Sequence, residues 1–469
     1  MPITNRRAFC MLFAYHLRAA NNNRNIAVSV LIDNNVPNPK AYAFNTGLTE
    51  NDTRTAIVNL LQGTSENNIP KGSEIYTTET PTVACLGIAK AQGVKNIYYV
   101  DNGQLCYIDM SPNRVPTVQN HQVVNLGQNP PKAERLNPGL PDPVEDWLVA
   151  DKNVASAAAT AWYTTHFEAR KREPPKKEQT SLKALNYTAD VLGTYSTGVP
   201  WLKEFRLAVP TAAVPGASAD FRDRIFMSLV RVIAARGWQH EAGGPNLRQA
   251  LLKPRIKAGK NIAAVLVNAN NQILGWGLNT NDESTSRHAE TNAIQSYQAG
   301  QGTALPNGTR IYSTLDPCFM CAALFLRAGG EHCLYEQADT NMTGNTALGD
   351  TSVQYHETYT GRVTLSESTR TPVLSEQVSV GQQLDADREK SGKRAVDFLK
   401  TGPALEVYSH AHERLATTGL RAASVPDRQL YNEVMEFLRK NAYLGAIGRN
   451  DALLPDDDMR PILPKTVNL

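Results

Sequence analysis

His288-Ala289-Glu290 and, twenty-seven residues beyond Glu290 (317 − 290), Pro317-Cys318-Phe319-Met320-Cys321 gather one imidazole, one carboxylate and two thiols into two short segments. An imidazole and two thiolates form a stable three-ligand set for Zn²⁺ that leaves the fourth tetrahedral position to water, and the open position is what makes such a site catalytic. Cysteines three apart on a helix share a face, so Cys318 and Cys321 can reach one ion. At a helix N-terminus the exposed N–H groups and the macrodipole favour the thiolate a metal requires. Glu290 need not be a ligand. Two residues after the histidine, it can sit beside a bound water, take its proton and later protonate a leaving amine. The same residues also fit a closed structural zinc site, or a redox pair of Cys318 and Cys321.

The elements that position these groups occur twice. Asn25-Ile26-Ala27-Val28-Ser29-Val30-Leu31-Ile32-Asp33-Asn34-Asn35 reappears from Asn261 to Asn271 at an offset of 236 (261 − 25), and Gly72 to Pro81 reappears from Gly308 to Pro317 at the same offset. Each copy reads as an apolar-periodic helix (Phe9 to Leu17; Phe226 to Ala235), a strand, an Asn-rich turn and a second strand (Lys40 to Phe44; Ile273 to Leu278). A helix, an Ile-Tyr strand, another helix and a last strand (Asn96 to Val100; His332 to Tyr335) follow. Such alternation predicts two related α/β domains, each with a mostly parallel sheet covered by helices. At the offset of 236, Cys85 matches Cys321 but Thr82 stands at Cys318, while Asp52 and Arg54 fall opposite His288 and Glu290; a one-residue shift substitutes Asn51 and Thr53. Neither register supplies the missing ligands or the acid/base, so the first copy reads as catalytically dead.

His-x-Glu followed by Pro-Cys-x-x-Cys is the signature of zinc nucleobase deaminases, and Thr314-Leu315-Asp316-Pro317-Cys318-Phe319-Met320-Cys321-Ala322-Ala323 resembles the strand-to-helix segment of the cytidine deaminase-like superfamily. The resemblance runs from about Phe226 to Asp339 and implies a three-layer α/β/α sandwich. It also implies that Asn279 hydrogen-bonds the substrate nucleoside and that the Ala289 backbone contacts the base. Trp276 and Phe319 are candidates either for stacking on a base or for packing. Phe319-Met320, Tyr335-Glu336-Gln337-Ala338-Asp339 and Thr343-Gly344 resemble the tRNA adenosine deaminase branch, whereas Glu283-Ser284-Thr285-Ser286-Arg287 replaces the Asp-Pro-Thr-Ala that usually precedes His-Ala-Glu there.

The expected organisation is a degenerate deaminase-like domain at 1–125, a Pro/Lys-rich linker at 126–216, an active zinc deaminase domain at 217–360 and a helical C-terminal extension at 361–469. The linker carries Arg170-Lys171-Arg172-Glu173-Pro174-Pro175-Lys176-Lys177, a composition that resists folding. A length of 469 residues calls for more than one core, and 41% apolar with 20% charged residues is ordinary globular composition. No stretch approaches the roughly 20 apolar residues of a membrane span, and the charged and apolar start, Arg6 to Ala14, suits an amphipathic helix better than a signal peptide. Six cysteines in so long a chain, two of them in Cys-x-x-Cys, favour metal or redox chemistry in a reducing, cytoplasmic setting. A formal charge of +3 leaves the substrate open. A dead domain in contact with the active one, a basic linker and a helical tail suit a long substrate. The expected reaction is therefore hydrolytic deamination within DNA or RNA at a single-stranded or flipped-out base, cytosine slightly ahead of adenine. The alternatives are tRNA adenosine editing, a free nucleotide or nucleoside deaminase, and a toxin or defence effector with a deaminase module.

Overall fold

A computed structural model describes residues 27–32, 39–46, 53–64, 69–101, 104–111, 211–238, 259–281, 286–301, 304–339 and 380–442, with isolated residues and short strands outside them. The chain forms two compact units, Met1–Pro200 and Trp201–Leu469. The division falls before Phe205, Thr211 and Val214, which are buried in the second unit. The basic run 170–177 lies outside the described residues.

In the first unit the elements are β1 (Val28–Ile32), β2 (Pro39–Phe44), α1 (Ala56–Gly63), β3 (Glu74–Thr77), α2 (Val83–Ala91), β4 (Asn96–Asp101), β5 (Gln104–Asp109), β6 (Gln122–Val123) and β7 (Thr194–Tyr195). They build one sheet in the order β6-β5-β4-β3-β1-β2-β7. β7 comes from the expected linker and pairs in parallel with β2. Buried Cys10, Met11 and Ala14, in the expected N-terminal helix, belong to this unit's core, and Arg7 lies over the Tyr98 ring at 5.1 Å.

The second unit runs α3 (Ala219–Arg236), β8 (Ala263–Val267), β9 (Ile273–Leu278), α4 (Ala289–Gln301), β10 (Arg310–Leu315), α5 (Phe319–Arg327), β11 (His332–Gln337) and β12 (Ser352–Gln354). A short hairpin, β13 (Arg362–Leu365) with β14 (Pro372–Ser375), and helices α6 (Val380–Ser391), α7 (Ala395–Phe398), α8 (Gly402–Ser409), α9 (Ala411–Leu420) and α10 (Val425–Phe437) complete it. The main sheet has the order β12-β11-β10-β8-β9. Every residue of β8 is buried, as a strand covered on both faces must be, which is why it reads as an unbroken apolar run.

Both sheets are mixed rather than mostly parallel. β1 pairs antiparallel with β2 and β3, as β8 does with β9 and β10, while β3–β4 and β10–β11 are parallel. The reason is loop length. Only residues 33–38 and 268–272 separate the first two strands of each unit, enough for a hairpin but not for the crossover a parallel pair needs. In the second hairpin Asn271 adopts φ 61°, and the Asn268 side chain accepts from the Asn270 and Gln272 N–H groups, the local bonding that makes Asn a turn residue.

Register fixes the duplication residue by residue. Ser29 pairs with Thr77 and Ala43, and Ala264 pairs with Ser313 and Gly277, so the offset is 235 on β1 (264 − 29), 236 on β3 (313 − 77) and 234 on β2 (277 − 43). The β-bulges coincide as well, at Leu31/Ile32 and Leu266/Val267. The offset of 236 inferred from sequence therefore holds on β3 and is one residue out on β1, where apolar residues repeat closely enough to fit either way.

The C-terminal helices are a layer of the second unit. Among them Thr418 on α9 meets Ser228 on α3 at 3.3 Å, Asp427 accepts from Ser218 N, and Asn261 donates to Leu399 O. Beneath them Arg231 on α3 makes a fully buried ion pair with Glu336 on β11, to which Tyr408 of α8 also donates. α3 packs on β8 and β10, and α4 packs on β9 and β8 and against α5, the layers of an α/β/α arrangement. Among the described residues, no helix is long and apolar enough to cross a membrane.

Candidate active site

Close packing of α4 on β9 sets the first half of the site. A Cβ on Gly277 would lie 2.3 Å from Ala289 O, and one on Gly275 would lie 2.9 Å from Ala293 O, so only glycine lets the helix backbone approach the strand this closely. Asn292, one turn into α4, donates to Leu278 O at 2.7 Å and to Thr280 Oγ1 at 3.1 Å, tying the helix start to the end of β9. His288 immediately precedes α4, and Ala289 and Glu290 are its first residues. The second half comes from the β10-to-α5 turn, where Cys318 is the residue before the helix and makes no side-chain cap bond.

These two helix starts bring His288, Cys318 and Cys321 together. His288 Nδ1 lies 3.3 Å from Cys318 Sγ and 3.5 Å from Cys321 Sγ, and the two sulfurs are 3.6 Å apart. A tetrahedral Zn²⁺ with bonds of about 2.3 Å to sulfur and 2.0–2.1 Å to nitrogen spaces its ligand atoms about 3.8 Å (S to S) and 3.6 Å (S to N) apart. The observed separations match within a few tenths of an ångström, and no other group of His, Cys, Asp or Glu among the described residues has such an arrangement. Its contacts with Cys321 and His288 hold the Cys318 thiol well below the ordinary range, while burial pushes Cys321 up.

Glu290 is buried and its Oε1 accepts from Ser313 Oγ at 2.5 Å. Burial raises its pKa; the Ser313 hydroxyl and His288 oppose the rise. Asn279 places its Oδ1 on Asn281 N, a turn contact, and no described group takes its Nδ2 or the Ala289 N–H. Trp276 is fully buried with its ring edge-on to Phe205 at 5.1 Å, so it packs the core rather than stacking on a ligand. Phe319 is half-buried on the first turn of α5.

Residues 253–357 match the family model of the Bd3614-like deaminases. The match to a deaminase family lies on the segment that holds His288, Glu290, Cys318 and Cys321. Among curated proteins, the chain is 36% identical over 90 residues to tRNA(Ile)-lysidine synthase of Deinococcus deserti, 19% of this chain and 16% of that protein. It is 36% identical over 80 residues to the enzyme of the same name from Deinococcus radiodurans, covering 17% and 14%. The chain thus spans no more than 16% of the length of these relatives. Among solved structures it is similar to a tRNA:A34 deaminase studied for A-to-I editing at the wobble position (28% identity, 18% and 63% of the chains, TM-score 0.18). It is also similar to a guanine deaminase from Nitrosomonas europaea (17% identity, 45% and 94% of the chains, TM-score 0.22).

Two further residues of the deaminase domain belong to the site. Ser313 is a buried polar residue on β10, a signal legible in Arg310-Ile311-Tyr312-Ser313-Thr314-Leu315 once the strand is placed. Asp316 is 3% exposed, and neither of its carboxylate oxygens has a hydrogen-bond partner among the described residues. Burial, then Asp339, Glu290 and Cys318, push its pKa to about 7.

Proposed function

We propose that this domain removes the exocyclic amine of a nucleobase hydrolytically with Zn²⁺ as cofactor, His288, Cys318 and Cys321 holding the ion and Glu290 moving the protons. The observation that carries this reading is the spacing of three ligand atoms at 3.3–3.6 Å beside a buried carboxylate. The ion, when bound, supplies a water whose pKa is lowered toward neutrality. Glu290 takes a proton in its buried pocket and delivers it to the departing ammonia. A carboxylate whose pKa is raised by burial suits both halves of that transfer. Ser313 fixes the carboxylate's orientation through its hydroxyl. Asn279 Nδ2 and the Ala289 N–H offer two donors to the base and its sugar, which would place C4 of cytosine or C6 of adenine beside Glu290.

A base within a polynucleotide, single-stranded or flipped out, is the proposed substrate, cytosine ahead of adenine. Its support is the length of chain beyond the segment that carries the site, including the basic run 170–177 in the sequence. Adenine in a structured RNA is the second reading, favoured by Phe319-Met320 between the cysteines and by Tyr335 to Asp339. The test is to incubate the protein and its Glu290→Gln variant with single-stranded DNA, duplex DNA, tRNA and free nucleosides, then digest and quantify uracil and hypoxanthine products by mass spectrometry. Product confined to the polymer pools supports the reading and names the base. Product from free nucleosides alone would overturn the polynucleotide assignment.

A further inference from the structure

The first unit contains the counterpart of the metal centre, and its residues can now be identified. Asn59 Nδ2 donates to Phe44 O, Thr46 Oγ1 and Arg54 O, as Asn292 Nδ2 does to Leu278 O, Thr280 Oγ1 and Arg287 O, giving an offset of 233 (292 − 59) on the helix. His288 and Glu290 therefore correspond to Thr55 and Ile57, not to Asp52 and Arg54 or to Asn51 and Thr53. The first unit has one residue more than the second between β2 and α1 (59 − 44 = 15 against 292 − 278 = 14) and three fewer between α1 and β3, where the offset returns to 236, which puts both sequence registers out. With Thr82 at the Cys318 position and Cys85 at the Cys321 position, the three ligand places hold two hydroxyls and one thiol.

Those three groups bond to one another. Thr82 Oγ1 donates to Cys85 Sγ at 3.3 Å, and Thr55 Oγ1 lies 3.2 Å from the same sulfur. Each threonine also caps its helix, Thr55 accepting from Val58 N and Thr82 from Cys85 N. Such caps typically contribute about 1 kcal/mol each, and Cys318 makes none. Opposite the Ala289 N–H stands the Ala56 N–H, which donates to Glu79 Oε1 at 3.1 Å. At the place of Glu79 (79 + 236 = 315) the second unit has Leu315, which offers no side-chain acceptor.

We infer that the first unit holds a metal-free, self-occupied counterpart of the deaminase centre. The Thr55–Cys85–Thr82 hydrogen bonds join the two helix starts where an ion would otherwise join them, and the Glu79 carboxylate fills the place of a base at the Ala56 N–H. The unit keeps the frame of a zinc site and takes neither zinc nor a nucleobase. The inference rests on reading His288, Cys318 and Cys321 as the zinc ligands, and two measurements on the full chain separate the two ideas.

Metal content by mass spectrometry should give one zinc per chain, lost in Cys318→Ser and unchanged in Cys85→Ser. Zinc that survives Cys318→Ser and is lost in Cys85→Ser would overturn the inference, whereas no zinc in any protein would overturn only the second unit's assignment. Independently of that result, Thr55→His with Thr82→Cys should add one Co²⁺ equivalent over the unsubstituted protein, seen as added thiolate-to-cobalt absorption. Thr82→Cys alone, a change of similar size, should add a weaker site. A folded double variant that gains no cobalt, or, should the double variant not fold, a Thr82→Cys protein that gains none, would show that the frame is not preserved.

Discussion

Gly277→Ala tests whether backbone contact between β9 and α4 sets the catalytic geometry. The added Cβ would lie 2.3 Å from Ala289 O, 2.8 Å from Ala293 N and 2.9 Å from Asn292 Cβ, whereas ordinary contacts to carbon start near 3.4 Å, in line with optimal C to C separations of about 3.5 Å. Two of the three neighbours are backbone atoms of the helix, so no side-chain rotation relieves the clash, and the start of α4 must move away by about 1 Å. Ala289 sits between His288 and Glu290, so both move with it. Metal sites hold their distances to about 0.2 Å, and a displacement of about 1 Å costs on the order of 100-fold in rate. Gly300→Ala is the control. It lies near the end of the same helix with nothing within 4 Å of the new methyl, and it should stabilise α4 by up to about 1 kcal/mol without touching the site. The readouts are kcat/KM on the substrate found in the product survey and zinc per chain. Gly277→Ala activity within about threefold of the unsubstituted protein, at full zinc content, would refute the reasoning. The first unit has Ala43 at the corresponding place, consistent with a helix freed from holding a ligand set.

Glu290→Gln should keep its metal and lose about 10²–10⁴-fold in turnover; comparable turnover would remove the acid/base role. Cys318→Ser should lose zinc and activity together, read by metal analysis, and full zinc retention would take Cys318 out of the ligand set. Arg231→Met leaves Glu336 buried beside Tyr408 without its cation and should destabilise the second unit by about 3–5 kcal/mol in urea unfolding; a loss under 1 kcal/mol would show that water reaches the carboxylate. His412 accepts from Arg236 Nε at 3.1 Å, and burial followed by the Arg236 charge holds its pKa well below the ordinary imidazole value. The folded protein therefore refuses a proton that the unfolded chain binds below about pH 6.5, so this contribution to stability is complete above that pH and falls by about 1.4 kcal/mol per unit below it. His412→Gln should flatten the urea midpoint between pH 7 and 5, and unchanged slopes in the two proteins would argue against it.

The site was legible because its chemistry is local in sequence. His288 and Glu290 lie two residues apart and Cys318 and Cys321 three apart, each pair at a helix start that periodicity also marks, so residue type and spacing imply the metal set before any fold is known. The duplication was legible for the same reason, since β3 and β10 keep both their apolar pattern and their following proline.

What sequence left open depends on contacts between distant segments. The mixed character of the sheets follows from which strands become neighbours, and the β1 register depends on hydrogen bonds that an apolar run cannot specify. The offset of 233 at α1 was hidden because length differences in the connections carry no side-chain signal; only the Asn59 and Asn292 bonds to the preceding strands reveal it. Ser313 and Asp316 became site residues through tertiary burial beside Glu290. The C-terminal helices read as an extension of unknown role, and packing made them a layer of the second unit through Arg231, Glu336 and Tyr408. Sequence by itself determined which atoms could hold a metal and move a proton. The tertiary structure decided that one copy brings those atoms within bonding range of a single ion and that the other closes the same frame with hydroxyls, because such distances are set by backbone approach and register between segments far apart in the chain.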